Sequence, residues 1–302
     1  MARSCLIIRS FGLHWPADRR RIEQQRGKGA ELLHTTMEEG GRTMTAPAMI
    51  LFAEGSEDPK VASVFHTLRR EMQSAHPHLE IQLAFLGGNH PTAQQVVSTL
   101  AHRGAQEVVL APMDVARVCE ASEAMQATYQ QLCTLYPKLR FAMARPIGPV
   151  SELLNVVDAR LRSALNSIRA TELDALVLCA PSAGDTRGNA LIARRARQWS
   201  SHHKLPTLVA HADGRGADVA AAIASLRSTG RRSIAVGSLH IAADQSYRAQ
   251  AEIALSSGAI AVSAPLGADV RIAELAMARY AFASMDMVAD LIGEDLDTAE
   301  VI

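Results

Sequence analysis

Short apolar runs alternate with longer amphipathic segments along this chain from residue 49 onward. The runs are rich in Val, Ile, Leu and Ala, which is typical of buried parallel strands. The segments between them place apolar residues on one face at helical spacing, as in Val61, Phe65, Leu68 and Met72. The first strand-like runs lie at residues 49–53, 81–85, 107–112 and 140–144. This pattern predicts an α/β fold in which each strand leads into a helix.

The alternation repeats in the second half of the chain. Further strand-like runs lie at residues 175–180, 206–210, 233–238 and 260–263, and helical segments lie near 187–200, 216–228, 246–256 and 270–291. Residues 104–112 align with 230–238, and the Gly148 turn aligns with the Gly267 turn, at an offset of about 120–130 residues. Eight such units can also close into one barrel. The repeat and the helical link at 152–171 favour two tandem, doubly wound α/β domains with mainly parallel sheets and a cleft between them.

The repeat also sets the expected domain boundaries. The first domain is predicted at 46–168 and the second at 169–292, followed by a tail at 293–302. Because the chain already contains two copies of the unit, we expect a monomer.

Residues 1–45 differ from the rest of the chain. They are polar and charged without a sustained apolar face, which predicts a disordered leader that contributes nothing to the fold. The codons for residues 38–41 (EEGG) are purine-rich and can spell a ribosome-binding sequence upstream of Met44. Our hypothesis is that the leader is untranslated message read as protein, and the alternative is a genuine flexible tail.

Composition narrows the class of protein. The net charge is zero and only 4% of residues are aromatic, which argues against a nucleic-acid partner. The four cysteines show no paired spacing, as expected of a reduced compartment. The apolar runs are too short to cross a membrane, so we expect a cytoplasmic protein with no membrane partner.

Two glutamates follow strand-like runs of the first half. Glu54 comes directly after residues 49–53, and Glu120 lies in the segment after residues 107–112. In an open α/β sheet, ligands bind beyond the carboxyl ends of the strands. We therefore expect Glu54 and Glu120 to lie side by side, where their like charges raise at least one pKa.

The segments around these glutamates resemble a known family. Residues 53–59 (AEGSEDP) stand where the class II tetrapyrrole chelatases of the sirohydrochlorin chelatase (CbiX-type) family usually have His-Gly-Ser/Thr-x-x-Pro, and Glu120 stands where the family has a second histidine. Residues 83–86 (LAFL), 89–92 (NHPT) and 146–149 (PIGP) follow in the family's order, and 265–268 (PLGA) resemble its two-repeat members. The resemblance covers about residues 46–285, and both usual histidines are replaced by glutamate.

The resemblance implies an activity. It points to insertion of a divalent metal, Fe²⁺ in preference to Co²⁺, into a sirohydrochlorin-type tetrapyrrole on the way to sirohaem or cobalamin. The metal is then a substrate, and no permanently bound cofactor is expected. Such chemistry needs a metal ligand and a base that removes the pyrrole protons. The resemblance assigns both roles to Glu54 and Glu120.

Glutamate at these positions leaves two hypotheses open. Carboxylates bind Fe²⁺ or Co²⁺ less well than imidazole does, and an ordinary glutamate is a weak base unless a neighbouring charge raises its pKa. The protein is therefore either an enzyme or a non-catalytic tetrapyrrole- or metal-binding protein on the same scaffold.

Further candidate site residues are found near Glu54 and elsewhere in the chain. Gly55 and Ser56 stand at a helix entrance, where they either cap the helix or bind a carboxylate of the substrate. Lys60 and Arg117 are expected to pair with the acidic side groups of the macrocycle. His240 follows a strand of the second half and either faces the cleft or is a hydrogen-bonded core residue. His202 and His203 have no partner at zinc-site spacing, which indicates polar surface residues.

Overall fold

The computed structural model describes residues 6–7 and 46–299, with side chains described for 46–289. The first sheet contains four parallel strands in the order β3-β2-β4-β5. They are β2 (Ala48–Glu54), β3 (Ile81–Leu86), β4 (Glu107–Pro112) and β5 (Arg140–Met143). Three helices connect them: α1 (Pro59–Ala75), α2 (Ala93–His102) and α3 (Glu123–Leu135).

The second sheet has the same parallel order, β8-β7-β9-β10. Its strands are β7 (Ala175–Ala180), β8 (Thr207–His211), β9 (Ile234–Ser238) and β10 (Ala261–Val262). Its connecting helices are α5 (Thr186–His203), α6 (Val219–Ser228) and α7 (Gln245–Ser256). Helix α4 (Glu152–Ser167) follows the last strand of the first sheet, and helix α8 (Val270–Ala299) follows the last strand of the second sheet.

Strand periodicity divides the apolar side chains between three clusters. Alternate residues of β2 face opposite ways, so Ile50 and Phe52 pack beneath α2 and α3, whereas Met49 and Leu51 face the other side. Met49 and Leu51 share one continuous core with residues of the second sheet such as Leu176. The outer faces of the two sheets have separate cores.

The helices α4 and α8 exchange partners between the sheets. Helix α4 follows the first sheet but packs on β9 and β10 of the second, and α8 follows the second sheet but packs on β4, β5 and α1 of the first. Tyr280 of α8 is fully buried, and its hydroxyl donates a 2.7 Å hydrogen bond to the carbonyl of Pro47, just before β2. Each sheet is therefore covered in part by a helix from the other half of the chain.

Two arginines, one on each exchanged helix, make equivalent hydrogen bonds to the other half of the chain. Arg160 of α4 donates through Nη2 to the carbonyl of Leu266 at 2.9 Å, and Arg279 of α8 donates through Nη2 to the carbonyl of Ile147 at 2.9 Å. Ile147 and Leu266 occupy equivalent positions beside the aligned turns at Gly148 and Gly267, both of which have positive φ. The two halves are therefore related by an approximate two-fold.

These observations confirm the predicted α/β fold with two similar parallel sheets and exclude the single eight-stranded barrel for the described chain. Leu6–Ile7 (β1) pair antiparallel with Glu172–Leu173 (β6), an element the sequence did not indicate. The rest of the predicted disordered leader and the end of the tail lie outside the described residues. The domain boundary near 168 and the monomeric state stay predictions.

No described helix combines the length and the apolar character that crossing a membrane requires.

Candidate functional site

Glu54 is the last residue of β2 and projects at the carboxyl end of the first sheet. Although the residue is exposed, desolvation by the surrounding protein is the main cause that raises the pKa of its carboxyl group. Asp114 and Asp244 raise the pKa further by like-charge repulsion, and Arg117 partly opposes them. Asp114 belongs to the first half of the chain and Asp244 to the second. Glu54 therefore lies where the two halves face each other.

The loop after β4 holds Asp114 and Arg117 beside Glu54. Oδ1 of Asp114 accepts hydrogen bonds from the backbone N–H groups of Ala116 and Arg117, at 2.7 and 3.2 Å. Nε of Arg117 lies 3.6 Å from the other carboxylate oxygen of Asp114. This small network fixes one anion and one cation within electrostatic reach of Glu54, and the substrate-binding role of Arg117 stays a prediction.

Glu120 lies further along the same loop and is exposed. Its carboxylate accepts a 3.3 Å hydrogen bond from the side chain of Gln126. The charges that act on Glu54 come from Asp114, Asp244 and Arg117. The expected rise in a pKa is thus found at Glu54, but burial and two aspartates cause it. The pairing of Glu54 with Glu120 stays a prediction.

The turn after Glu54 is tightly packed. A Cβ atom on Gly55 would stand 1.7 Å from the carbonyl oxygen of Gly87, so the close approach of these two loops requires glycine. The N–H of Ser56 donates to the side chain of Asn89 at 2.7 Å. The N–H of exposed Lys60 donates to Asp58, the N-cap of α1. Gly55 and Ser56 therefore shape the site, and the substrate-binding roles predicted for Gly55, Ser56 and Lys60 stay predictions.

Hydrogen bonds and an ion pair between the two halves of the chain hold the segments that surround Glu54. Oδ2 of Asp185, the N-cap of α5, accepts hydrogen bonds from the backbone N–H groups of Val118 and Cys119 at 3.0 and 2.9 Å. Asp58 occupies the equivalent N-cap position on α1 and forms an ion pair with Arg248 of α7. Each half therefore uses a helix cap to hold the other half.

Burial alone would raise the pKa of Asp185, but backbone N–H groups of Cys119, Val118 and Gly188 donate to its carboxylate and hold that pKa below its usual range. The aspartate that caps α5 is therefore stabilised in its charged form. Because its folded-state pKa is lowered, its contribution to stability is present above about pH 4 and disappears as the pH falls through the folded-state value.

We predict that Asp185→Ala lowers the free energy of unfolding by about 2 kcal/mol at neutral pH, since a cap and two cross-half hydrogen bonds are lost. The matched control is Asp218→Ala, which removes the N-cap of α6 and its bond to the N–H of Ala221, at a cost of about 1 kcal/mol. Urea unfolding at pH 7 and pH 3 measures both variants. Two results would contradict the cross-half role of Asp185. One is an equal loss of unfolding free energy in both variants at pH 7, and the other is a gap between wild type and Asp185→Ala that is as large at pH 3 as at pH 7.

His240 lies two residues after β9, at the position equivalent to Asp114. It is 2% exposed, and its Nδ1 lies 2.9 Å from the hydroxyl of Ser238 while its ring packs edge-on against Tyr247. Burial lowers the pKa of His240, and the nearby Asp244 opposes that shift. Of the two interpretations given above, the structure supports the hydrogen-bonded core residue.

Asp114 and Asp244 were missed as site residues by the sequence interpretation. Asp114 stands two residues after β4, so its strand-end position was a usable signal. Asp244 caps α7 through the N–H of Tyr247, which is the usual role of an aspartate before a helix. Only the arrangement of the two halves brings Asp244 to Glu54.

A depression of about 780 Å³ lies elsewhere, on the outer face of the first sheet. Its lining includes Gln82, Gln95, Thr99 and Tyr136, which are mostly neutral amides and hydroxyls. It contains none of the cleft carboxylates, so the strand-end cleft remains the better site on chemical grounds.

The fold, with its two similar parallel α/β units, is similar to that of several solved chelatases. SirB from Bacillus subtilis, solved with Fe³⁺, superposes with a TM-score of 0.63 at 12% identity, over 81% of this chain and 98% of that one. The sirohydrochlorin chelatase SirB of Bacillus subtilis subspecies spizizenii, in complex with cobalt, gives 0.64 at 12% identity, over 80% of this chain and 96% of that one. A multi-domain protein from Deinococcus radiodurans with structural similarity to chelatases superposes with a TM-score of 0.51 at 14% identity. The match covers 79% of this chain and 55% of that one.

Sequence comparison agrees with the structural comparison. The CbiX family model matches residues 48–164 of this chain. A curated relative, the sirohydrochlorin cobaltochelatase of Priestia megaterium, is 23% identical over 141 residues, which are 46% of this chain and 44% of the relative. The chain therefore spans less than half the length of that relative. The predicted resemblance to the CbiX-type chelatases is confirmed.

Proposed function

We propose that this protein is a chelatase that inserts a divalent metal into a sirohydrochlorin-type tetrapyrrole held in the cleft between its two halves. The observation that carries the proposal is the environment of Glu54. Its carboxyl group stands at a strand end, and desolvation and the charges of Asp114 and Asp244, one from each half of the chain, raise its pKa. The match of residues 48–164 to the CbiX family model and the likeness to solved chelatases support the substrate class.

The chemistry requires a base whose pKa has moved towards neutrality. Metal insertion releases the protons of the pyrrole nitrogens, and a general base works best when its pKa approaches the working pH. Desolvation and the charges of Asp114 and Asp244 move Glu54 in that direction. We therefore propose Glu54 as the base at the position where the family usually has a histidine.

The same carboxylate is also proposed to guide the metal. In the part of the chain that is described, Glu54, Asp114 and Asp244 do not form a set of three with ligand atoms within 4.8 Å of one another. A loose carboxylate site binds a metal weakly, which suits an ion that must pass to the macrocycle. Oxygen ligands favour harder ions, so we propose Fe²⁺ in preference to Co²⁺ as the metal substrate, with no permanently bound cofactor.

The acidic side groups of the macrocycle need cationic partners. Arg117 is held beside Asp114 and close enough to Glu54 to affect its pKa, so we propose that it pairs with a carboxylate of the tetrapyrrole. Lys60 is exposed at the start of α1 and is proposed for the same role. Ser56 and Gly55 are proposed to form the backbone wall beneath the macrocycle.

The second candidate function is a non-catalytic tetrapyrrole- or metal-binding protein. The observation that favours it is that His240 is buried and hydrogen-bonded rather than open to the cleft, so no imidazole from this position replaces the two family histidines. A carrier needs the cleft but not the base.

One experiment separates the two functions. The full chain is incubated anaerobically with sirohydrochlorin and Fe²⁺ or Co²⁺, and the absorbance spectrum is followed against the spontaneous reaction. Insertion that is faster with protein supports the enzyme. Tight binding of the macrocycle with no acceleration rejects the enzyme and supports the carrier. Absence of macrocycle binding rejects both the enzyme and a tetrapyrrole carrier.

A further inference from the structure

A second cluster of metal-binding residue types lies outside the cleft. Asp158 of α4, together with His202 and His203 at the end of α5, offers ligand atoms that all lie within 4.8 Å of one another. Helix α5 has 18 residues and is about 27 Å long, and Asp185 caps its opposite end. The cluster is therefore far from the contacts that Asp185 makes at the cleft.

The structure overturns the interpretation of this histidine pair as polar surface residues. His203 is 6% exposed, and its Nε2 lies 2.9 Å from Oδ1 of Asp158, which is also 6% exposed. The partner is 45 residues away in sequence, so no local spacing could reveal it. The exchange of α4 onto the second sheet is what brings Asp158 to the pair.

We propose that Asp158, His202 and His203 bind a divalent transition metal ion of the borderline class, such as Zn²⁺, Co²⁺ or Fe²⁺. Two imidazoles and one carboxylate form the ligand set that these ions favour, with further positions left to water. Ligand atoms about 2.1 Å from a metal ion are about 3.4 Å apart in a tetrahedral site and about 3.0 Å apart at right angles. His203 Nε2 and Asp158 Oδ1 are hydrogen-bonded at 2.9 Å, so small movements would let both bind one ion.

The surroundings of the cluster hold its residues in place as a metal site requires. Nε1 of fully buried Trp199 donates to Oδ1 of Asp158 at 2.5 Å, which orients the carboxylate in the way that outer-shell groups orient metal ligands. A Cβ atom on Gly237 of β9 would lie 2.5 Å from the Trp199 ring, so the indole is fixed against the sheet. The rings of His202 and His203 meet edge-on with centroids 4.7 Å apart.

Charge and access favour a cation at this place. The cluster lies at the C-terminal end of α5, where the helix dipole attracts positive charge. A metal ion would also compensate the negative charge of the buried Asp158 carboxylate. His202 is only partly buried, which leaves an entry path for the ion.

The test uses metal alone, without a tetrapyrrole, so its outcome does not depend on the proposed chelatase activity. Untagged full-length protein carrying Glu54→Gln, which disables the cleft carboxylate, is titrated with Co²⁺, and the ligand-field absorbance and the bound stoichiometry are measured. We expect one Co²⁺ with a spectrum typical of nitrogen and oxygen ligands. Adding His202→Gln is expected to weaken binding at least tenfold and to abolish the rise in melting temperature that Co²⁺ or Zn²⁺ causes.

The matched control is His102→Gln, which removes another histidine from the last turn of a helix, one whose Nδ1 contacts the carbonyl of Ser98. This control is expected to leave Co²⁺ binding unchanged. Because His202 is partly exposed at a helix end, His202→Gln should fold normally, and circular dichroism checks this. Equal Co²⁺ affinity and spectrum with and without His202, or an equal loss in the His102→Gln control, would overturn the proposal.

Discussion

Replacement of Glu54 by glutamine is expected to lower the rate of metal insertion by about 10²- to 10⁴-fold, the usual contribution of a positioned general base. The amide has nearly the same shape but neither accepts a proton nor carries charge. Macrocycle binding should persist, because glutamine removes no part of the cleft wall. The measurement is the initial rate of insertion of Fe²⁺ into sirohydrochlorin, corrected for the spontaneous rate.

The pH dependence gives a second readout for Glu54. Its pKa lies above the ordinary glutamate value because of desolvation and then because of Asp114 and Asp244. Since the base must be ionised, the rate is expected to rise with pH through that raised pKa. In Glu54→Gln this rise should be absent.

Two further variants decide which carboxylates act. Glu57→Gln alters an exposed glutamate three residues further along the same segment and is expected to leave the rate unchanged. Glu120→Gln tests the pairing inferred from the sequence. A large loss of insertion rate in Glu120→Gln would support that pairing. A wild-type rate would indicate instead that Glu54 acts with Asp114 and Asp244. A wild-type rate in Glu54→Gln would remove the basis for the proposed catalytic role.

Gly188→Ala is expected to lower the free energy of unfolding by about 3 kcal/mol, although alanine is the better helix former by about 1 kcal/mol. The reason is the contact of the first turn of α5 with the loop after β4. A Cβ atom on Gly188 would stand 1.9 Å from the carbonyl oxygen of Ala116, and a Cβ atom on Gly184 would stand 2.3 Å from the same oxygen. That oxygen belongs to the backbone, so relief requires the two halves to move apart.

The control for this variant is Gly214→Ala. Gly214 has a positive φ of 71° but open space around it, so only the backbone strain of about 1 kcal/mol is expected. Thermal and urea unfolding measure both variants. A Gly188→Ala protein as stable as the wild type would show that the loop after β4 is free to shift, and the cross-half contacts of Asp185 would then have little energetic weight.

The strands and most helices were predictable because their signals are local. An apolar run of the right length indicates a buried strand wherever it lies, and Ala48–Glu54 and Ala175–Ala180 match their predicted positions. The repeat was visible for the same reason, since each half must build the same four-stranded sheet. Helix α4 was also expected from its sequence.

What the sequence did not indicate was which sheet α4 and α8 cover. An amphipathic helix shows that one face is buried but does not specify the surface that buries it. The same limit applies to the site. Asp244 reaches Glu54, and Asp158 reaches His203, through contacts between distant segments. Glu54 itself was found because a strand end is a local feature.

The exchange of α4 and α8 also has a consequence for half of this chain on its own. A first half cut after α4 would keep a helix whose sheet is missing and a sheet whose covering helix, with buried Tyr280, is missing. In a reciprocally domain-swapped dimer of two such halves, the last helix of each copy would cover the sheet of the other copy. The tandem chain can thus be understood as a swapped homodimer whose two protomers became covalently fused. Fusion would free the two halves to diverge, and only one of them carries a glutamate at the Glu54 position.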